Sequence, residues 1–229
     1  MMLGLGVGAV LIGGAAHGAF HRNSPIFGRP ITRLTTSERA VALTFDDGPN
    51  PDATPVVLDA LADRGVKATF FILGRHAERW PDLVERVARE GHAVGNHGYF
   101  HRKLHFKSPE YVRQDLELGT AAIERASQVR PSYFRAPHGF RSPWVTSIAR
   151  SLGQRTVGWS LGVWDSDLPG VEAIAQRTVE GAKPGSILLL HDGDGYDPSG
   201  DRMQTAHAIP LIIDRLIAQG YRFDLLDAA

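Results

Sequence analysis

Val41-Ala-Leu-Thr-Phe-Asp-Asp-Gly-Pro49 is the stretch that decides the fold. Its first five residues are a short continuous run of apolar and β-branched side chains, the pattern of a strand buried on both faces of a parallel sheet. The run stops at two adjacent carboxylates and a Gly-Pro turn, and an amphipathic stretch over residues 54–64 follows, closed by Gly65. A buried strand, a polar turn and a helix make one β/α unit.

Outward from there the same unit recurs. Residues 67–73 are β-branched and aromatic and read as a strand. Pro81 opens a helix that Gly91 ends. Residues 92–96 form the third strand, and Ser108 with Pro109 caps a long helix reaching about residue 127. Residues 133–135 are the fourth strand, 156–161 the fifth, 186–190 the sixth and 221–226 the seventh, with helices over about 143–152, 171–180 and 204–218 between them. This alternation predicts an α/β domain, a parallel sheet covered by helices, and seven strands suit a distorted, incomplete (β/α) barrel. A doubly wound open sheet is the second reading. With no internal repeat and no linker, residues 37–229 read as one catalytic domain, preceded by an apolar segment and lead-in over 1–36.

Composition bounds the chemistry. Of 229 residues, 43% are hydrophobic and 22% charged, enough to bury a full core. Twenty-five basic residues balance 25 acidic ones with no basic run, which removes the electrostatic footprint of a nucleic-acid binder. Ten His against zero Cys turn any metal hypothesis toward imidazole and carboxylate ligands. The run from Met1 to Ala16 carries no charge, is short for a bilayer span and lacks a basic leader. It reads as an export or anchor segment that would associate the chain with a membrane, as a Gly-rich helix docked on the domain, or as the end of a longer anchor. The expected location is the cell envelope or outside the cell.

The polar residues that interrupt the strands are not scattered. Asp46 and Asp47 follow the first strand, and His97 and His101 follow the third. Arg135 and His138 close the fourth, Asp165 follows the fifth and His191 the sixth. Loops after strand C-termini build the active site of α/β barrels, so five strands deliver acids, bases and ligands to one rim. Neighbouring strand residues point to opposite sides, so of Asp46 and Asp47 one can hold a metal while the other accepts a proton. An Asp-Gly turn is the bland alternative. His97 and His101, four apart, face the same way on a helical turn, and with Asp47 they make three ligands and an open position, as in catalytic zinc sites. Arg135 needs a carboxylate, for which Asp46 is the natural partner, and Asp165 can orient the His191 imidazole.

Together these residues resemble the NodB-type polysaccharide deacetylases, the fourth family of carbohydrate esterases. The family's motifs match Thr44-Phe-Asp-Asp-Gly-Pro49, His97-Gly-Tyr-Phe-His101, Arg135-Ala-Pro-His-Gly139 and Leu188-Leu-Leu-His191. The resemblance implies removal of N-acetyl groups from an amino-sugar polysaccharide, a peptidoglycan or chitin-like polymer. Asp46 would be the general base, Asp47, His97 and His101 the ligands of a divalent metal (zinc first, then cobalt or another ion), and Arg135 the tether of the base. Asp165 would orient the acid His191, with Pro137 and His138 on the oxyanion side and Trp164 along the groove. A related deacylase of xylan, a lipid-linked sugar or a small amide is the alternative enzyme, and a non-catalytic glycan binder the alternative of another class. The sequence departs from the family pattern at Gly98, where Ser or Thr usually sets the loop, at His138 and at Ser166.

The acidic, Gly-rich stretch from His191 to Asp201 invites a calcium reading through Asp192, Asp194 and Asp197, but no carboxylate closes an EF-hand loop. A flexible loop beside the acid, offering Tyr196 to sugar hydroxyls, is the better expectation.

Overall fold

The computed structural model describes residues 13–226. The anchor or export reading of the run from Met1 falls largely on residues 1–12, outside the described residues. Residues 13–20 are helical (α1), and among the described residues no helix is long and apolar enough to cross a membrane.

The elements then alternate. They run β1 (Ala40–Asp46), α2 (Ala53–Ala62), β2 (Thr69–Ile72), α3 (Gly74–Arg79), α4 (Pro81–Arg89), β3 (Ala93–Asn96), α5 (Pro109–Ser127), β4 (Tyr133–Phe134) and α6 (Val145–Ser151). After these come β5 (Arg155–Thr156), β6 (Leu161–Gly162), α7 (Val171–Gly181), β7 (Ser186–His191), α8 (Met203–Ala218) and β8 (Arg222–Phe223). All pairings are parallel, in the order β5-β4-β3-β2-β1-β7-β6. β8 joins β1 beside Ala40 and Val41, below the residues that pair with β2. The sheet curls into an incomplete α/β barrel, as expected from the alternation.

One predicted strand is two. Residues 156–161 do not run as a single fifth strand, because β5 ends the sheet on the β4 side and β6 begins its other edge on β7. The chain crosses the barrel's open side at Val157–Ser160. The lead-in fills that gap: Ile31 bridges Val157 and Arg33 bridges Ser186. The guanidinium of buried Arg141 donates to the carbonyls of Gly28 (3.0 Å) and Ser24 (2.7 Å), holding the lead-in to the domain.

β1 is buried along its whole length. Its odd-numbered residues Val41, Leu43 and Phe45 pack outward with Val57, Leu61, Ile209 and Ile213 of α2 and α8. Ala40 and Ala42 face the barrel interior with Phe71, Tyr133, Trp159 and Leu189. Period-two alternation puts Thr44 and Asp46 on that inner side as well. Truncating Leu43 or Phe45 to Ala would cost about 2–5 kcal/mol. The same packing therefore fixes where the first carboxylate stands.

Candidate active site

Asp46 ends β1 inside the barrel mouth. Across the interior, Arg135 follows β4, and its Nη1 donates to Asp46 Oδ1 at 2.6 Å and to Thr44 Oγ1 at 2.9 Å. Nη2 donates to the Gly158 carbonyl at 2.8 Å, where the chain crosses the open side. The guanidinium lies 4.1 Å from the Phe71 ring centroid. Burial lowers the Arg135 pKa while Asp46 opposes that shift, and a buried charge of this kind persists only with such partners.

Asp47 does not continue the strand. Its φ of 71° turns the backbone, so its carboxylate diverges from that of Asp46. Asp47 Oδ1 lies 3.1 Å from His101 Nε2 and 3.3 Å from His97 Nε2, and the three donor atoms fall within 4.8 Å of one another. Burial pushes the Asp47 carboxyl up, but His101 and His97 outweigh it and hold it well below the usual carboxylate range. Burial drives His101 down to about 3, which keeps it neutral and able to ligate. Asp47 Oδ1 is a buried oxygen with no hydrogen-bond partner among the described residues. The His97 Nδ1 donates to the Arg135 carbonyl at 2.9 Å, which turns Nε2 toward Asp47; burial lowers the His97 pKa, but Asp46 and Asp47 override it and raise it. An orphaned carboxylate oxygen and two imidazole nitrogens fit a divalent cation with an open position.

The two histidines meet by a different route than a helical turn. Residues 97–101 are a loop, in which Gly98 (φ 78°) and His101 (φ 55°) reverse the chain. Asn96 Oδ1 accepts from Gly98 N at 2.8 Å and Asp115 Oδ1 from Phe100 N at 3.0 Å, supplying the side-chain bonds expected from a Ser or Thr at 98. A Cβ at residue 98 would stand 2.4 Å from Asp115 Oδ2, so this loop takes glycine.

On the other side of the mouth, His191 Nδ1 donates to Asp165 Oδ1 at 2.9 Å. The second oxygen of Asp165 accepts from His191 N (2.8 Å) and Thr205 Oγ1 (2.9 Å). Burial pulls the His191 pKa down, but Asp165 overrides it and raises it to about 9. The imidazole is therefore protonated at neutral pH, with Nε2–H free of the Asp165 bond. Trp164, just before, is 66% exposed in a left-handed conformation (φ 57°).

The acidic loop after His191, expected as a flexible one, is tethered at several points. Asp192 is buried and accepts from Thr54 Oγ1 at 2.6 Å; burial, then Asp47, push its carboxyl up to about 7. Asp194 pairs with Arg202 and accepts from the N–H groups of Tyr196 and Asp197. Asn50 donates to the Gly200 carbonyl (3.0 Å), and Arg75 to that of Gly195 (2.6 Å). This scaffold holds Tyr196 so that its hydroxyl lies 2.9 Å from His138 Nε2. Both rings flank one imidazole of the candidate metal site: His101 lies 4.7 Å from His138 and 5.2 Å from Tyr196, centroid to centroid. Pro137 is buried in the turn below. Asn50, Thr54, Thr205 and Arg202 also support the site, and of these only Asn50, just before a helix, carries a signal legible in the sequence, as a cap.

Residues 33–157 match the family model for polysaccharide deacetylases. The chain is 41% identical over 195 residues to a peptidoglycan-N-acetylglucosamine deacetylase of Bacillus cereus, covering 83% of this chain and 87% of that one. It is 39% identical over 199 residues to a chitooligosaccharide deacetylase of Rhizobium leguminosarum bv. trifolii, covering 84% and 92%. Among solved structures, a CE4 family pseudoenzyme from Bacillus anthracis superposes with a TM-score of 0.79 at 27% identity, covering 86% and 67%. Motifs, site and relatives agree, and the chain belongs to the polysaccharide deacetylase family, carbohydrate esterase family 4.

Proposed function

We propose that the protein hydrolyses the N-acetyl group of an N-acetylglucosamine residue in a peptidoglycan or chitin-like strand, at the cell envelope or outside the cell, releasing acetate. The observation that carries this reading is the placement of an Arg-tethered carboxylate and an Asp-paired imidazole around one three-donor cluster. Asp47, His97 and His101 would hold a divalent ion, zinc being the simplest fit to one carboxylate and two imidazoles. When bound, that ion supplies Lewis-acid polarisation of the amide carbonyl and acidifies water.

This chain's own groups do the rest. Asp46, with Oδ1 engaged by Arg135, takes the proton of the attacking water on Oδ2. The N–H of His138 donates to the oxygen that gains charge as the carbonyl becomes tetrahedral. His191 gives its Nε2 proton to the departing nitrogen, and Asp165 holds it in place; positioned acid–base groups contribute on the order of 10²–10⁴-fold each.

Likeness to a pseudoenzyme keeps a non-catalytic glycan binder as the second reading. Base, acid and all three ligands are present here, which favours the enzyme. The deciding measurement is acetate release from N-acetylglucosamine oligomers, with and without a chelator, beside acetylated xylan. Release only from the amino sugar, lost on chelation and restored by zinc, is expected. Release from xylan alone, or binding with no release from either, overturns it.

A further inference from the structure

Three chain segments that meet beside the metal site contain no acidic residue at all. The first Asp or Glu of the chain is Glu38, residues 101–109 have none, and none occurs between Glu124 and Asp165. All 25 acidic residues of the chain therefore lie outside these three segments. A run of aromatic contacts joins the three segments. Phe20 at the end of α1 lies 5.7 Å from Phe140, 5.0 Å from His105 and 6.0 Å from Phe106, ring centroid to centroid. Phe140 is in turn 6.0 Å from His138, whose ring borders the candidate ligand His101. A ledge of rings thus leads away from the reactive centre without a break.

The ledge is exposed and fixed. Phe106 is 79% and Phe20 50% exposed, and exposed aromatics that cluster mark an interaction surface. The Arg141 bonds to the lead-in carbonyls and the Thr146 bond to the Phe27 carbonyl (2.7 Å) hold the Phe20 side in place. Lys103 stands 5.9 Å from the Phe140 ring and Lys107 4.8 Å from the Tyr111 ring. Among the described residues neither lysine has a carboxylate partner.

Aromatic faces suit the C–H faces of pyranose rings, and uncompensated ammonium groups suit carboxylates. We propose that this ledge binds a carboxylate-bearing stretch of amino-sugar strand, next to the residue whose acetamide enters the metal site. The inference rests on the deacetylase reading and adds to it a preference for an anionic strand over a neutral one.

The test uses the metal-loaded full chain carrying His191→Ala, so that binding is read without turnover. The probes are a tetrasaccharide alternating N-acetylglucosamine with N-acetylmuramic acid, its lactyl carboxylates free, and neutral chitotetraose. Replacing Lys103 and Lys107 together by Ala should weaken the anionic probe about five- to tenfold, as for two solvent-exposed charge pairs, and the neutral probe less than about twofold. Phe106→Ala should weaken both by about tenfold. Equal affinity of the lysine variant and its parent for the anionic probe overturns the proposal. So does unchanged sugar binding with lost binding to phosphatidylglycerol vesicles, which would make the ledge a membrane contact. Acetate release from N,N′-diacetylchitobiose by the unsubstituted chain reads the deacetylase activity separately, so the two ideas fail independently.

Discussion

Arg135 Nη1 and Asp46 Oδ1 stand 2.6 Å apart at the barrel mouth, and both side chains are closed off from solvent. The pair spans the interior from β4 to β1, so it is both a structural tie and the support of the proposed base. Removing the cation strands a buried carboxylate. Arg135→Met should destabilise the fold by about 3–5 kcal/mol. Arg135→Lys keeps the charge but not the reach to both Asp46 and the Gly158 carbonyl, and should lower kcat while the protein stays folded. Thermal unfolding and kcat measured together check this, and a lysine variant with parental turnover would remove Arg135 from any role beyond stability.

Asp46→Asn separates base from ligand. Metal content should persist, since Asp47, His97 and His101 are untouched, while turnover falls by about 10²–10⁴-fold. The substitution also leaves Arg135 without its anion, so circular dichroism must show the fold intact. Turnover within tenfold of the parent would assign the base elsewhere.

His97→Ala removes one of three donors and should reduce bound metal to background with loss of activity. His97 also donates to the Arg135 carbonyl, so His101→Ala, whose Nδ1 has no such partner among the described residues, is the cleaner test. Metal analysis of both variants decides; full metal content in either places the cation outside this cluster.

Most of the architecture could be read because the strands are continuous apolar runs ending in polar residues, and Ser108, Pro109 and Pro81 punctuate the helices as expected. The rim assignment followed from that pattern. What escaped was set by tertiary contacts with no local signature. The loop that brings His97 to His101 depends on Asp115, inside α5, and on glycine at 98. The break between β5 and β6 reflects which sheet edge each reaches, and Val157–Ser160 has no breaker stronger than Gly158. The acidic loop looked mobile from its glycines, yet Gly193 and Gly195 serve close approach: a Cβ there would meet the Asp47 carbonyl at 2.2 Å and His101 Nδ1 at 2.1 Å.

That close approach alters what Tyr196 should do. Its hydroxyl bonds His138 and its ring stands nearly perpendicular to that of His101, so it walls the candidate metal site as well as the proposed sugar face. Tyr196→Phe deletes only the hydroxyl, and KM for an oligosaccharide should rise about two- to tenfold, the size of one lost hydrogen bond, with kcat and metal content unchanged. A change in kcat alone would move Tyr196 from substrate binding to the chemistry.

The Asp165–His191 pair predicts the alkaline limit of the reaction. His191 is raised to about 9 because Asp165 favours its cation more than burial disfavours it. A histidine free in solution titrates near 6.5, so it is protonated in the folded protein up to about 9 but not in the unfolded chain above about 6.5. The pair's stabilisation is thus complete below about 6.5 and is lost as pH rises through about 9. The same proton is the one proposed to reach the leaving nitrogen, so kcat should fall along an alkaline limb above the ordinary histidine value. Asp165→Asn removes the anion while its amide oxygen can still accept from Nδ1. That variant should move the limb down toward the ordinary histidine value and lose turnover at pH 8 more steeply than at pH 6. A substrate with a good leaving group, such as an activated acetate ester, needs no such proton and should show neither the limb nor the shift. If Asp165→Asn leaves the limb in place on the amide, or if the ester shows the same limb, the titrating acid is not His191.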